Sequence, residues 1–213
     1  ERMWLARRFR AASHNLRCPH KQAEIWAYAK TILTTPATVK GCFVEAGCYK
    51  GCSTAKFSLA AKLAGRELVV FDSFEGIPDH DEAHRRSIFG RRVGFKQGSF
   101  RGELEEVREN IRKYGDLASC RLVEGWFEDT MPAFREPVAG IYLDVDLASS
   151  TRTCLKHLYP LLQTGGTLYS QDGHLPLVVE VFDDDRFWRD VVGCAKPEMT
   201  GLGIRKLIRI VKQ

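Results

Sequence analysis

The stretch Gly41-Cys-Phe-Val-Glu-Ala-Gly47-Cys-Tyr-Lys-Gly51-Cys-Ser-Thr54, continued by the apolar-periodic Ala55 to Ala64 and by Glu67-Leu-Val-Val-Phe-Asp72, decides how the chain is read. A short β-branched and aromatic run meets two glycines, a segment of helical period follows, and a second apolar run ends in an acid. That order is a βαβ unit whose first turn is a ligand cradle. Gly47 and Gly51 let the backbone bend and approach a ligand without Cβ hindrance, and Ser53 or Thr54 lies in the first turn of the helix, whose free N–H groups face the same place. Asp72, 21 residues after Gly51, is placed to accept hydrogen bonds from a ribose diol at the end of the next strand.

Charge selects the nucleotide. Glu45 ends the first strand beside the helix N-terminus, where a dinucleotide needs room for its pyrophosphate, and a carboxylate there is repulsive. The glycine spacing agrees, being Gly-x-x-x-Gly rather than Gly-x-Gly-x-x-Gly. S-adenosylmethionine has a ribose for Asp72, a carboxylate for the helix N-terminus, and ammonium and sulfonium groups that suit Glu45. The bland alternative is a plain strand-turn-helix that holds no ligand.

At 213 residues and 44% hydrophobic content, one α/β core is expected. No apolar run approaches the roughly 18 residues of a membrane span and no signal-peptide pattern opens the chain, so a soluble, cytoplasmic protein without membrane contact is expected. The start at Glu1 without Met points to a trimmed N-terminus. Seven cysteines, an odd number, argue for reduced thiols; Cys42, Cys48 and Cys52 cluster, but their spacing matches no metal knuckle. The net charge of +5 is confined to residues 1–40, which carry eight Lys/Arg against Glu1 and Glu24. Such a segment reads as a solvated helix face or an oligomer contact before it reads as a nucleic-acid surface.

Residues 1–40 read as helices broken at Pro19 and stopped at Pro36: a lid, a homo-oligomer contact, or simple packing on the core. The domain proper is 41–213. After Asp72 comes a turn-rich loop beginning at Ser73, then a polar stretch in which His80 and His84 read as solvated loop residues before metal ligands. Gly90 to Gly98 is long enough to cover an active site. Leu104, Val107, Ile111 and Tyr114 mark one helix face, ended by Gly115. Cys120 to Phe127 is a third strand and the loop beyond it, where Trp126 or Phe127 either stacks on a purine or packs beneath the loop.

A fourth strand, Ala139 to Asp146, ends in two carboxylates, and Asp144 and Asp146 reach the same crevice only if the backbone leaves the pleat there. Ser149 and Ser150 are expected to cap the following helix. Thr164-Gly-Gly166 is expected to turn the chain into a fifth strand, Thr167 to Ser170, which delivers Gln171-Asp172-Gly173-His174. Asp144 and Asp172, at the ends of neighbouring strands, suit a hard cation such as Mg²⁺, though Asp144 alone also fits a cofactor-side or structural carboxylate. The run Asp183 to Asp185 reads as a solvated helix face. Ile204 to Lys212 alternates like a strand, hairpinned onto the sheet edge from Cys194 to Met199. The expected fold is a Rossmann-like, doubly wound, mostly parallel seven-stranded sheet with an antiparallel C-terminal edge hairpin and N-terminal helices.

Five motifs in order, Glu45-Ala-Gly47-x-x-x-Gly51-x-Ser53, Phe71-Asp-Ser-Phe-Glu-Gly-Ile-Pro78, Glu124-Gly-Trp-Phe-Glu-Asp-Thr130, Asp144-x-Asp146-Leu-x-x-Ser150-Thr151 and Leu158-Tyr-Pro-x-Leu-x-x-x-Gly165-Gly166, resemble the macrocin O-methyltransferase family over about residues 40–190. The resemblance implies a class I S-adenosylmethionine-dependent methyltransferase that methylates a sugar hydroxyl in natural-product biosynthesis with a divalent metal. It matches Asp144 and Asp172 to metal-binding aspartates and Asp146 to the general base. The candidate cofactor set is Glu45, Gly47, Gly51, Ser53, Asp72, Ser73, Gly125, Trp126 and Asp144. Two positions depart from the pattern: Gln171 stands where the first of paired aspartates is common, and Ala148 where Tyr is common. A Gln carbonyl still ligates Mg²⁺, at one charge less, and His174 is a replacement ligand or a second catalytic group. A cofactor-binding protein with a decayed metal site, and a nucleic-acid methyltransferase, are the alternatives.

Overall fold

The structure, a computed structural model, describes residues 2–83 and 86–213. His84 lies outside them. Seven strands, β1 (Cys42–Ala46), β2 (Leu68–Asp72), β3 (Cys120–Glu124), β4 (Val138–Leu143), β5 (Leu162–Ser170), β6 (Met199–Thr200) and β7 (Ile208–Val211), form one sheet in the order β3-β2-β1-β4-β5-β7-β6. The first five pair in parallel, and β7 runs antiparallel to both β5 and β6. β1 and β4 are buried along their whole length, which is why they read as continuous apolar runs; β7 alternates buried and exposed, as an edge-side strand does.

Helices cover both faces. Toward one face, α1 (Arg2–Asn15), α2 (Gln22–Thr34), α3 (Cys52–Ala64) and α4 (Leu104–Tyr114) join Phe9, Ile25, Tyr28, Phe57 and Ile111 to Phe43 and Val70 of the sheet. The first forty residues thus contribute to the same core as β1. Toward the other, α5 (Phe127–Thr130), α6 (Ala148–Leu158) and α7 (Pro176–Asp183) with the π-helical turn Trp188–Val192 bury Leu155, Val178, Phe182 and Trp188 against Val44, Ile141 and Leu168. Among the described residues no helix is long and apolar enough to cross a membrane.

Several boundaries differ from the sequence reading. β5 begins at Leu162, because the Gly165-Gly166 pair lies inside the strand and Gly165 donates its N–H to Lys212 rather than turning the chain. The C-terminal strand shrinks to Ile208–Val211, since Gly201 to Leu207 turn, and its partner β6 holds only two residues. The Asp183–Asp185 run is a break between helices: Asp184 caps α8 (Asp185–Phe187) by accepting from Arg186 and Phe187, while Asp183 and Asp185 pair with Lys196.

Candidate active site

The carboxyl ends of β1, β2 and β4 are stitched together just beyond the sheet. Gly47 N–H donates to Phe71 O, Asp144 N–H to Ala46 O, and Gln171 N–H to Leu143 O, all within 2.9 Å. Gly47 is needed here: its φ is +82°, and a Cβ would lie 2.0 Å from the carbonyl oxygen of Asp144. Gly51 answers a different demand. At φ +76° it starts α3, and a Cβ there would lie 3.1 Å from Val107 Cγ1 of α4, so it packs two helices and lies outside the cleft lining.

Above this floor opens a cleft of about 350 Å³. One wall carries Gly47, Asp72, Ser73 and Trp126. Asp72 accepts from Cys48 N–H at 2.6 Å and Phe74 N–H at 2.8 Å, one bond to each oxygen, so each oxygen keeps a lone pair for a ligand hydroxyl. Burial raises its pKa against those two bonds. Gly125 N–H donates to Asp72 O and sets the loop that presents Trp126. Arg92, Val93, Gly94 and Phe95, from the loop expected to cover the site, complete that side.

The opposite wall holds Asp144, Asp146 and His174. The strand ends at Leu143, and Asp146 sits in the left-handed region at φ +60°, so the backbone does leave the pleat and both acids line the cleft. Asp172 is the reason. Wholly buried, its Oδ2 accepts from Val145 N–H at 3.0 Å and Asp146 N–H at 3.1 Å, and Leu147 N–H closes the turn on Val145 O at 2.6 Å. Burial, then the charge of Asp144, pushes Asp172 up to about 7; burial, then Asp172 and Asp144, raises Asp146 well above the ordinary range. Burial and then the Lys206 ammonium push His174 down to about 4, which leaves a neutral imidazole, with Nδ1 buried and unpartnered.

Asp144 meets a residue the sequence did not single out. His20 Nε2 donates to its Oδ2 at 2.6 Å, from the linker between α1 and α2. Burial works to lower His20, but the Asp144 carboxylate beside it wins and raises the ring to about 10; burial works to raise Asp144, but His20 holds it below the usual carboxylate range. Gln171 is fully buried and outside the cleft lining: its Oε1 accepts from Tyr142 Oη at 3.1 Å and its Nε2 donates to Glu24 at 2.7 Å. The expected Asp144, Gln171 and Asp172 set does not converge as ligands: Gln171 has both polar atoms committed outside the cleft, and Asp144 and Asp172 each have their Oδ2 committed, to His20 and to two backbone N–H groups. Among the described residues no group of three His, Cys, Asp or Glu is arranged to hold a metal ion. This donor set does not fit Mg²⁺.

The residues do fit an adenosyl cofactor. Glu45 lies outside the cleft lining and is 0% exposed, with no hydrogen-bond partner at either carboxylate oxygen, and burial, set against the nearby Ser53 and Thr54 hydroxyls, pushes it up to about 8. An orphaned buried carboxylate is what a site awaiting an ammonium group contains. Ser53 itself is buried behind the cleft lining.

A family model described as macrocin-O-methyltransferase (TylF) matches residues 21–192. The chain belongs to the macrocin O-methyltransferase family. Relatives include an 8-demethyl-8-(2,3-dimethoxy-alpha-L-rhamnosyl)-tetracenomycin-C 4'-O-methyltransferase of Streptomyces olivaceus, 32% identical over 78% of this chain and 65% of that protein. A demethyldecarbamoylnovobiocin O-methyltransferase of Streptomyces niveus is 36% identical over 63% of this chain and 53% of its own. The chain thus spans between about half and two thirds of the length of the relatives it matches. The solved structure of the O-methyltransferase NovP superposes with a TM-score of 0.70 at 26% identity, covering 89% of this chain and 79% of that one. The calicheamicin methyltransferase CalS11 shares the fold at a TM-score of 0.69 and 20% identity, over 98% of this chain and 91% of its own.

Within the macrocin O-methyltransferase frame, three residues escaped the sequence reading. His20 carried only the weak signal of a histidine after a helix-breaking Pro19. Lys206, from the turn before β7, lines the cleft opposite no recognisable motif. Glu82 replaces the expected caps Ser149 and Ser150: its two oxygens accept the N–H groups of Ala148 and Ser149 at 2.8 Å each, at the start of α6. His80, from the same polar stretch, accepts Glu82 N–H through Nδ1.

Proposed function

We propose that the chain is an S-adenosylmethionine-dependent O-methyltransferase acting on a hydroxyl of a small polyhydroxylated molecule, a sugar or a sugar-bearing natural product. The observation that carries the reading is a cleft whose lining holds both Asp72, fixed by the Cys48 and Phe74 N–H groups, and Asp146, a carboxylate of raised basicity. The relatives' names support the reaction class and the acceptor class.

When bound, the cofactor supplies an electrophilic sulfonium methyl group. Asp72 would hold the ribose hydroxyls, with Gly47 and Ser73 available to the adenosyl half and Trp126 to its base. Glu45 would neutralise the ammonium. In the free protein burial and the neighbouring Asp172 and Asp144 carboxylates raise the Asp146 pKa. A cation bound in the cleft favours its ionised form, so Asp146 becomes competent to take the acceptor's hydroxyl proton as the cofactor arrives. His174, held neutral, orients that hydroxyl through a ring nitrogen. No step passes through a metal.

The test is calorimetric titration with S-adenosylmethionine and S-adenosylhomocysteine, followed by methyl-label transfer to a panel of glycosides. Micromolar affinity with label in an alkali-stable ether is the expected result. Absence of affinity for both adenosyl compounds overturns the reading, and affinity without transfer to any acceptor favours a binding protein instead.

A further inference from the structure

The Gln171 side chain and the His20 ring belong to one connected set. Gln171 Nε2 donates to Glu24; Glu24 accepts the Lys21 N–H at 2.9 Å at the entry to α2; Lys21 follows His20; and His20 reaches across 124 positions to Asp144. The His20 side chain is 6% exposed, so this is a built contact. Gln171 is also chemically matched to its neighbours. Its carbonyl takes the Tyr142 hydroxyl inside the core and its NH₂ takes the Glu24 carboxylate at the partly buried edge of it. An aspartate at 171 would be one methylene shorter and would set a second negative charge against Glu24, releasing the hold on α2.

We propose that the N-terminal segment occupies, through His20, the place at Asp144 that a divalent cation would need, with Gln171 as the latch that holds the segment there. His20 is then a positioning residue: it fixes the Asp144 carboxylate two residues before the base Asp146 and closes the acceptor end of the cleft. The inference rests on the methyltransferase reading for its consequence in catalysis and on geometry alone for its consequence in metal binding.

Mn²⁺ alone, followed by electron paramagnetic resonance of the free ion, is the probe, titrated into the wild-type chain, His20→Ala, and His20→Ala combined with Gln171→Asp. The wild type is expected to leave Mn²⁺ free at millimolar concentration, and the double variant to bind at least tenfold more tightly than the wild type, with loss of that binding on adding Asp144→Asn. Tight Mn²⁺ binding by the wild type that Asp144→Asn abolishes overturns the proposal, as does a double variant that stays folded by circular dichroism yet binds no better. His20→Gln, whose amide still donates to a carboxylate, keeps the fold under test if the alanine variant unfolds; in turnover it recovers part of the kcat that His20→Ala loses, at unchanged affinity for S-adenosylhomocysteine. Equal kcat in all three proteins also overturns it. Failure to bind S-adenosylhomocysteine in the wild type counts against the methyltransferase reading and leaves the Mn²⁺ result to stand by itself.

Discussion

Asp172 accepts the backbone N–H of Asp146 at 3.1 Å, and the same Oδ2 takes the N–H of Val145. One buried carboxylate at the end of β5 therefore dictates the turn that carries the neighbouring strand's acid into the cleft. A residue expected to bind a metal shapes the backbone around Asp146, the proposed base.

Removing Asp172 should accordingly act on stability first. Asp172→Ala leaves two buried amides without an acceptor, at about 1–3 kcal/mol for each. A fall in Tm of several degrees is expected, whereas Asp172→Asn keeps an acceptor oxygen and melts close to the wild type. The asparagine variant also takes a like charge away from Asp146, so the acidic limb of its kcat–pH profile moves to lower pH. Equal melting of the alanine variant and the wild type would remove Asp172 from this role.

Asp146 itself separates chemistry from binding. Asn adopts φ near +60° more readily than most residues, so Asp146→Asn preserves the turn. The expected outcome is unchanged affinity for S-adenosylhomocysteine by calorimetry with turnover reduced by about 10²–10⁴-fold, the usual worth of a general base. Turnover within twofold of the wild type assigns the base elsewhere.

Glu45 trades stability for ligand binding. Its folded pKa of about 8 lies above the unfolded value of 4.5, so the native chain keeps a proton that the unfolded chain releases. Stability is thereby lost as pH rises from about 4.5 to about 8, and the penalty is constant above that range. Glu45→Gln lifts the penalty, on the order of a few kcal/mol at pH 9 and nothing at pH 4, while weakening S-adenosylmethionine at least tenfold. Denaturant melts at the two pH values check the sign, and a variant less stable than the wild type at pH 9 contradicts it.

What the sequence made legible follows from range. The β1–α3–β2 unit and α4 with its apolar face and Gly115 rest on neighbours within a few residues, where periodicity and glycine have direct geometric meaning, whereas the departure of Asp146 from the pleat, legible in the sequence only as a condition, depends on Asp172, 26 positions away. The His20–Asp144 pair spans 124 positions, the Gln171–Glu24 bond 147 and the Glu82 cap 66, and such contacts leave no periodic trace. Gly165-Gly166 misled for the opposite reason: a dipeptide typical of turns was held in a strand by pairing with a distant edge. Asp172 had the residue type and place expected of a ligand, and its bonds to two backbone N–H groups, 26 and 27 positions away, left no trace in the sequence.

Glu82 offers the last test, because it ties the loop after β2 to the helix that follows the base. α6 starts at Ala148 with no acid in its first turn and no side-chain cap from Leu147, so the Glu82 carboxylate serves both its free N–H groups and its dipole. Glu82→Ala is expected to cost about 0.5–2 kcal/mol, and Glu82→Gln, which keeps one acceptor without the charge, less than that. Since α6 begins two residues after Asp146, fraying of its first turn loosens the base, and kcat should fall in the alanine variant while affinity for S-adenosylhomocysteine holds. Raising the salt concentration should narrow the gap in Tm between the wild type and Glu82→Gln, because the charge part of the difference is screened while the lost acceptor is not. A gap that stays constant from low to high salt would mean that Glu82 acts through its hydrogen bonds alone.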